Sequence, residues 1–268
     1  MRHRRPAVAG RFYSGSAPAL RDEVESFMHP SITKVSAKAI VAPHAGYIFS
    51  GGVAGLVYST IEPPDTFVLM GPNHTGLGHA VSVMSEGKWD VPGATLDIDS
   101  ELAESIIKRS PICTRDEEAH KYEHSLEVQL PFIVHVNPKA RIVPITIMQA
   151  SLDELMELGR AVAAAVKGVK SPVVIASSTD MSHFLDEDET RRRDKHALDK
   201  ISALDPEGLY KVVRAKDISM CGFMPTVVAL SAAIALGATE ARLLRYTTSA
   251  EASGDFDRVV GYAGYVIV

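Results

Sequence analysis

Cysteine is scarce: Cys113 and Cys221 are the only two in 268 residues. That is too few for a disulfide framework and points to a reducing, cytoplasmic setting. Long apolar runs are missing as well. The longest, Val227 to Ala235, is interrupted by Ser231 and falls well below the ~20 residues a membrane span needs. With 19 glycines and 15 prolines, the chain is neither collagen-like nor low in complexity. Nor is there a surplus of positive charge. The balance of 28 basic against 33 acidic residues leaves −5, which argues against general nucleic-acid or anionic-membrane binding. The one basic run, Arg191-Arg192-Arg193, is flanked by Asp186, Glu187, Asp188, Glu189 and Asp194, the composition of a solvated helix face. The basic start Met1 to Arg5 leads into Pro6 to Gly10, too short for a signal-peptide core, so no leader is expected.

What is present alternates. Apolar, β-rich runs recur at Ala39–Ala42, Phe67–Met70, Ala80–Met84, Ile142–Ile147, Val173–Ala176, Leu243–Tyr246 and Val259–Val268. Several are continuously hydrophobic, as strands covered on both faces must be. Helical patterns lie between them. Leu20, Val24 and Phe27 share a face, as do Leu102 and Ile106 after Asp99-Ser100. Ser151 with Glu154 forms a capping box ahead of Leu155, Leu158, Val162 and Val166. Asp205-Pro206 is an N-cap followed by proline at the first helical position, and Gly237 stops a helix over Thr226–Leu236. Ser50-Gly51-Gly52 is read as opening another. No linker or repeat interrupts the series. The expectation is α/β: a single domain over residues 1–268 with a central mostly parallel or mixed sheet flanked by helices.

The histidines gather. His44, His74 and His183 each follow an apolar run, in Ala42-Pro43-His44-Ala45-Gly46-Tyr47, Gly71-Pro72-Asn73-His74 and Ser177-Ser178-Thr179-Asp180-Met181-Ser182-His183. Open α/β sheets bind ligands at the carboxyl ends of their strands, so adjacent strands would bring these loops to one crevice. Imidazole is the commonest metal ligand and the usual general base near neutral pH. Cys221 stands just before a helix, where the positive dipole end favours thiolate; it is expected to be the reactive cysteine, and Cys113 inert. On a helix, His120 and His124 would lie one turn apart, with Glu123 and Glu127 on an overlapping face. The spacing departs from the His-Glu-x-x-His of zinc proteases. There is no P-loop and no Gly-x-Ser-x-Gly elbow.

Taken in order, these segments, with Arg5-Pro6-Ala7-Val8-Ala9-Gly10-Arg11-Phe12-Tyr13, Glu123-His124-Ser125-Leu126-Glu127-Val128-Gln129-Leu130-Pro131-Phe132 and Cys221-Gly222, resemble the Memo family. Its members are the mediator of cell motility in animals and AmmeMemoRadiSam protein B in prokaryotes. The resemblance implies a fold like that of class III extradiol dioxygenases, with His44, His74 and Cys221 as metal positions and Asp180 and His183 as catalytic residues in the same pocket. Tyr47, Asn73, His124 and Glu127 are expected to line it. Those dioxygenases use two histidines and a carboxylate. Here Cys221 stands third, and a thiolate shifts preference toward copper or zinc while still permitting iron. Iron or copper is the expected cofactor. Two functions follow as expectations: an oxygen-dependent redox protein acting on a small molecule, or a peptide- or protein-binding module using the same crevice. The family resemblance also implies a partner in a radical-enzyme system. No arginine cluster marks a phosphopeptide site.

Overall fold

The computed structural model describes residues 3–268; Met1 and Arg2, the first residues of the basic start, lie outside them. In chain order the elements are β1 (His3–Arg4), α1 (Ala17–Phe27), β2 (Ala39–Ala42), α2 (Tyr47–Thr60), β3 (Thr66–Pro72) and β4 (Val81–Val83). A hairpin of β5 (Lys88–Val91) and β6 (Ala94–Asp97) precedes α3 (Ser100–Arg109), β7 (Thr114–Arg115), α4 (Leu130–Val136), β8 (Arg141–Ile147) and α5 (Leu152–Lys167). Then come β9 (Val173–Ser178), β10 (His183–Leu185), α6 (Glu187–Ser202), α7 (Pro206–Ala215) and α8 (Phe223–Ala235). The chain closes with β11 (Ala241–Thr248), α9 (Ala250–Ser253) and β12 (Val259–Ile267).

The main sheet is mixed, with strand order β10-β12-β2-β9-β3-β8-β4-β7 and β11 also paired to β12. Its centre, β2-β9-β3-β8, is parallel. β12 is antiparallel to β2, and β4 antiparallel to β8. Side chains alternate between two apolar layers, as strand geometry requires. Val41, Val68, Met70, Val143 and Ile175 face a core shared with α3, α5, α6, α7 and α8. Ile40, Phe67, Leu69, Ile142 and Val174 face one shared with α1, α2 and α4. Both sides are covered, which explains the unbroken apolar runs.

Local signals act as the residues suggest. Ser151 and Glu154 form the reciprocal capping box, Asp99 and Asp205 accept from the first turns of α3 and α7, and Gly237 leaves α8 with φ +89°. Arg191 pairs with Glu187, and Arg192 and Arg193 with Glu189, so the basic run is a neutralised helix face. No helix among the described residues is long and apolar enough to cross a membrane. Two local readings are corrected and one element is added. Ser50-Gly51-Gly52 lies inside α2, which already starts at Tyr47. His120 and His124 do not share a helix, because His120 ends the 3-10 turn Glu118–His120 and His124 lies in the non-helical stretch after it. The β5–β6 hairpin, with β1 pairing parallel to β5, was not anticipated from the apolar pattern.

Candidate metal centre

Register sets the site. Val41 and Met70 both pair with Ser177 across β9, so the loops after β2, β3 and β9 leave the sheet side by side. They carry His44, His74 and Asp180–His183. Cys221 reaches the same point from the start of α8, whose approach to β9 is close. A Cβ at Gly222 would stand 2.4 Å from the Ser178 carbonyl oxygen, so only glycine fits. The ligand atoms of His44, His74 and Cys221 all lie within 4.8 Å of one another. Donors at ~2.0–2.3 Å from a common ion are themselves about 3.3–4.6 Å apart, so the spacing suits one ion.

Tautomers are fixed by the neighbours. His44 is buried, its Nδ1 2.9 Å from Ser178 Oγ. That hydroxyl already donates to the Ser125 carbonyl at 2.6 Å and accepts from Gln129 Nε2 at 2.9 Å. It can therefore only accept from His44, whose Nδ1 carries the proton while Nε2 offers its lone pair 3.3 Å from Cys221 Sγ. His74 Nδ1 donates to Glu123 Oε1 at 2.9 Å, which frees its Nε2 in the same way. A carboxylate behind a ligating imidazole is the usual arrangement in metal sites. Burial, with His124 and His74 nearby, pushes the His44 pKa well down, keeping the imidazole neutral as a ligand must be. The donor set thus fits a transition metal of the nitrogen- and sulfur-binding kind.

Glu123 is the anchor. It is fully buried and accepts from the backbone N–H of His74 (2.5 Å), His124 (2.9 Å) and Ser125 (2.9 Å). Burial alone would raise its carboxyl, but the His74 hydrogen bond and charge and the Ser125 N–H outweigh it and hold the pKa near 2. With both oxygens so engaged, His74, Glu123 and His124 read better as a scaffold than as a second ion site, although their polar atoms also lie within 4.8 Å. His124 stacks on His74 (4.6 Å, 23°) and meets His44 edge-on (5.4 Å, 85°).

Asp180 Oδ1 accepts the His44 N–H at 2.8 Å, and the Asp180 N–H points at Cys221 Sγ at 3.3 Å. Burial raises the Asp180 carboxyl, which the His44 N–H and the charges of His183 and His74 partly offset. His183 is held by Ser219, its N–H on Oγ (2.8 Å) and its Nδ1–H on the carbonyl (2.9 Å), which leaves Nε2 available. It acts on the charge of both His44 and Asp180.

Three expected pocket residues have their polar groups engaged in structural contacts. Tyr47 is buried among Tyr13, Phe27 and Phe132 and donates to the Val128 carbonyl. Asn73 braces its own turn, accepting from Thr75 and Gly76 and donating to Leu77. Glu127 is saturated by Arg4, Tyr13 and the N–H groups of Ala7 and Val8. The Cys221 expectation also reverses. Burial, then the Asp180 charge, push its thiol up, so the helix dipole does not produce a free thiolate; metal coordination would. Glu123, Ser178 and Gln129 were missed as orienting groups, although all three lie inside segments the sequence had singled out.

An α/β fold with two oriented imidazoles and a thiol at the carboxyl edge of its parallel strands defines a class of candidate mononuclear metal proteins. The chain belongs to the Memo family: the family model for Memo-like proteins matches residues 4–266. A MEMO1 family protein of Methanothermobacter thermautotrophicus is 41% identical, covering 97% of this chain and 98% of its own. One from Aquifex aeolicus is 40% identical over the whole of both chains. Among solved structures, the uncharacterized protein JW3007 of Escherichia coli K12 superposes with a TM-score of 0.58 at 14% identity, over 84% of this chain and 98% of that one. That likeness concerns the fold alone.

Proposed function

We propose that the chain binds iron or copper through His44, His74 and Cys221 and serves an oxygen-dependent oxidation of a small molecule. The observation that carries this reading is the pair of committed Nδ1 protons, one donated to Ser178 and one to Glu123, which leaves both Nε2 lone pairs free in a cluster where the ligand atoms of His44, His74 and Cys221 lie within 4.8 Å of one another. A bound iron or copper would supply one-electron chemistry and an electrophilic centre. The protein's own groups do the rest. Ser178 and Glu123 keep the imidazoles neutral and oriented. His183, with Nε2 available, moves protons to and from the substrate. Asp180 ties the His44 loop to the Cys221 loop and, through its raised pKa, supplies a carboxyl that can hold a proton there. Three protein donors, rather than four, are those of an open site; a structural zinc site would be closed.

The test is metal content after purification without a nickel column, followed by oxygen uptake with a reductant or catechol-like substrate. His183→Ala should slow uptake and keep the metal; His44→Ala should lose both. If loaded wild type takes up no oxygen beyond free metal, yet binds a peptide without metal, the enzyme reading is overturned.

A further inference from the structure

The turn of the β5–β6 hairpin lies against α1. Gly93 in that turn has φ +85°, and a Cβ there would stand 2.7 Å from the Ala17 Cβ. Between the turn, α1 and α4 the chain encloses a cavity of about 250 Å³. Leu20, Val24, Val91, Pro131 and Val134 form its apolar walls, and all but the half-buried Val134 are buried. Arg21 and His135 also line it and are exposed, so they mark its mouth. None of these residues belongs to the metal centre.

Arg21 is out of keeping with the other arginines. Arg115, Arg141, Arg191, Arg192, Arg242 and Arg245 all lie on carboxylates. Among the described residues the Arg21 guanidinium has no hydrogen bond, ion pair or ring contact, although Asp22, Glu23 and Glu25 share its helix. Glu23 is turned instead to the Ser14 N–H at 2.9 Å. His135 is equally without a partner among the described residues. Ala17, which lines the cavity as well, belongs to the first turn of α1, and that turn has neither a side-chain cap nor an acidic residue. The positive end of the helix therefore adds to the field of Arg21.

We propose that this cavity binds a small free carboxylic acid as its anion, with the carboxylate on Arg21 and His135 and a short apolar body between α1 and α4. Charge complementarity carries the assignment. A guanidinium presents its fork to a carboxylate, and His135 offers an N–H in either protonation state. A phosphate, with more oxygens and more charge to satisfy, finds no second arginine or lysine in the lining. A peptide would bring its backbone amides against Leu20, Val24 and Val134, where no polar side chain answers them. The volume falls just under the ~300–1,000 Å³ of drug-sized sites, which limits the body to a few carbons. The site stands independently of the metal reading.

The test is equilibrium dialysis of the full-length protein with hexanoate, acetate and hexan-1-ol. Each buried methylene is worth about a three- to fourfold gain in affinity, so hexanoate should bind about tenfold tighter than acetate or better. One part-exposed charged hydrogen bond is worth about five- to tenfold, so hexan-1-ol should bind that much more weakly than hexanoate. Arg21→Gln should bring hexanoate to the level of the alcohol and leave the alcohol unchanged; Arg21→Lys should restore part of the difference. Both substitutions are at an exposed helix position and keep a good helix former, so the fold survives them. Arg160→Gln, on α5 across the sheet, should change nothing, and His44→Ala should leave hexanoate binding intact. Amide shifts on adding hexanoate should centre on Leu20, Val24, Val91 and Val134. Equal affinities for hexanoate and acetate, or hexanoate binding indifferent to Arg21→Gln, overturn the proposal. So does loss of binding in His44→Ala, which moves the acid to the metal centre. Self-association in sedimentation that Arg21→Gln abolishes, with no hexanoate bound, assigns the cavity to a second copy and also overturns it.

Discussion

Glu123 and Glu127 are one helical turn apart in sequence, both fully buried, both carboxylates, and they do opposite work. Glu127 closes on itself. Its oxygens take the Arg4 guanidinium, the Tyr13 hydroxyl and two backbone N–H groups, and Arg4 in turn lies 4.6 Å over Trp89 and donates to the His120 and Glu123 carbonyls. Every polar atom there is consumed in tying the N-terminal segment to the body. Glu123 instead holds His74 by one nitrogen and leaves the other facing outward. The lesson is that burial and pairing do not distinguish a structural carboxylate from a functional one. What its partners have left over does.

The comparison breaks most easily at Glu127. Glu127→Gln leaves Arg4 buried without its anion, and losing one member of such a pair costs about 3–5 kcal/mol. Urea unfolding should show that loss, and a change under ~1 kcal/mol would mean the knot is not structural. Glu123→Gln should act differently. Loss of the carboxylate behind a ligating histidine weakens metal binding about 10–100-fold, so competitive chelator titration should register a shift in affinity. Stability should fall less than in Glu127→Gln.

Acid separates the regions further. Burial holds His120 down at about 4 from an ordinary 6.5, and Glu123 sits near 2 from 4.5. In both cases the unfolded chain binds the proton more readily, so stability rises with pH across each interval. Cooling of stability should begin as pH drops below 6.5 for His120 and below 4.5 for Glu123. His44 and His124 are held down by burial as well, so His120→Leu should reduce but not abolish the slope below pH 6.5 and leave the lower limb, which chemical unfolding at stepped pH will show. The smallest effect concerns the thiols. Burial raises Cys113 to about 11 and lifts Cys221 as well. Metal-free protein should therefore alkylate slowly at both positions at pH 7. Rapid Cys221 modification would restore the low-pKa reading.

Much of this was legible in the residues because covered parallel strands read as apolar runs and their loops as Gly/Pro/His clusters. β2 matches its expected limits, Ala39–Ala42, and the capping box of α5 lies where Ser151 and Glu154 place it. Hydrophobic pattern finds what the core dictates. It does not find β5 and β6, whose burial is mixed, or the non-helical stretch that separates His120 from His124. The ligand candidates stood out by residue type. Their orienting groups did not, since Ser178, Gln129 and Glu123 take their roles from contacts across about 50 to 130 residues of chain, which no spacing encodes. The sign of the Cys221 shift was hidden for the same reason: it is set by burial and then by Asp180, in the loop after β9.

The central claim is that two imidazoles and one thiolate converge on a single ion. Cobalt(II) titration of metal-free protein, followed by absorption, tests it most directly, since a sulfur-to-metal charge-transfer band reports the thiolate itself. The band should grow to one equivalent per chain, vanish in Cys221→Ser and persist in Cys113→Ser. Binding without that band, or a band that survives Cys221→Ser, would contradict the site.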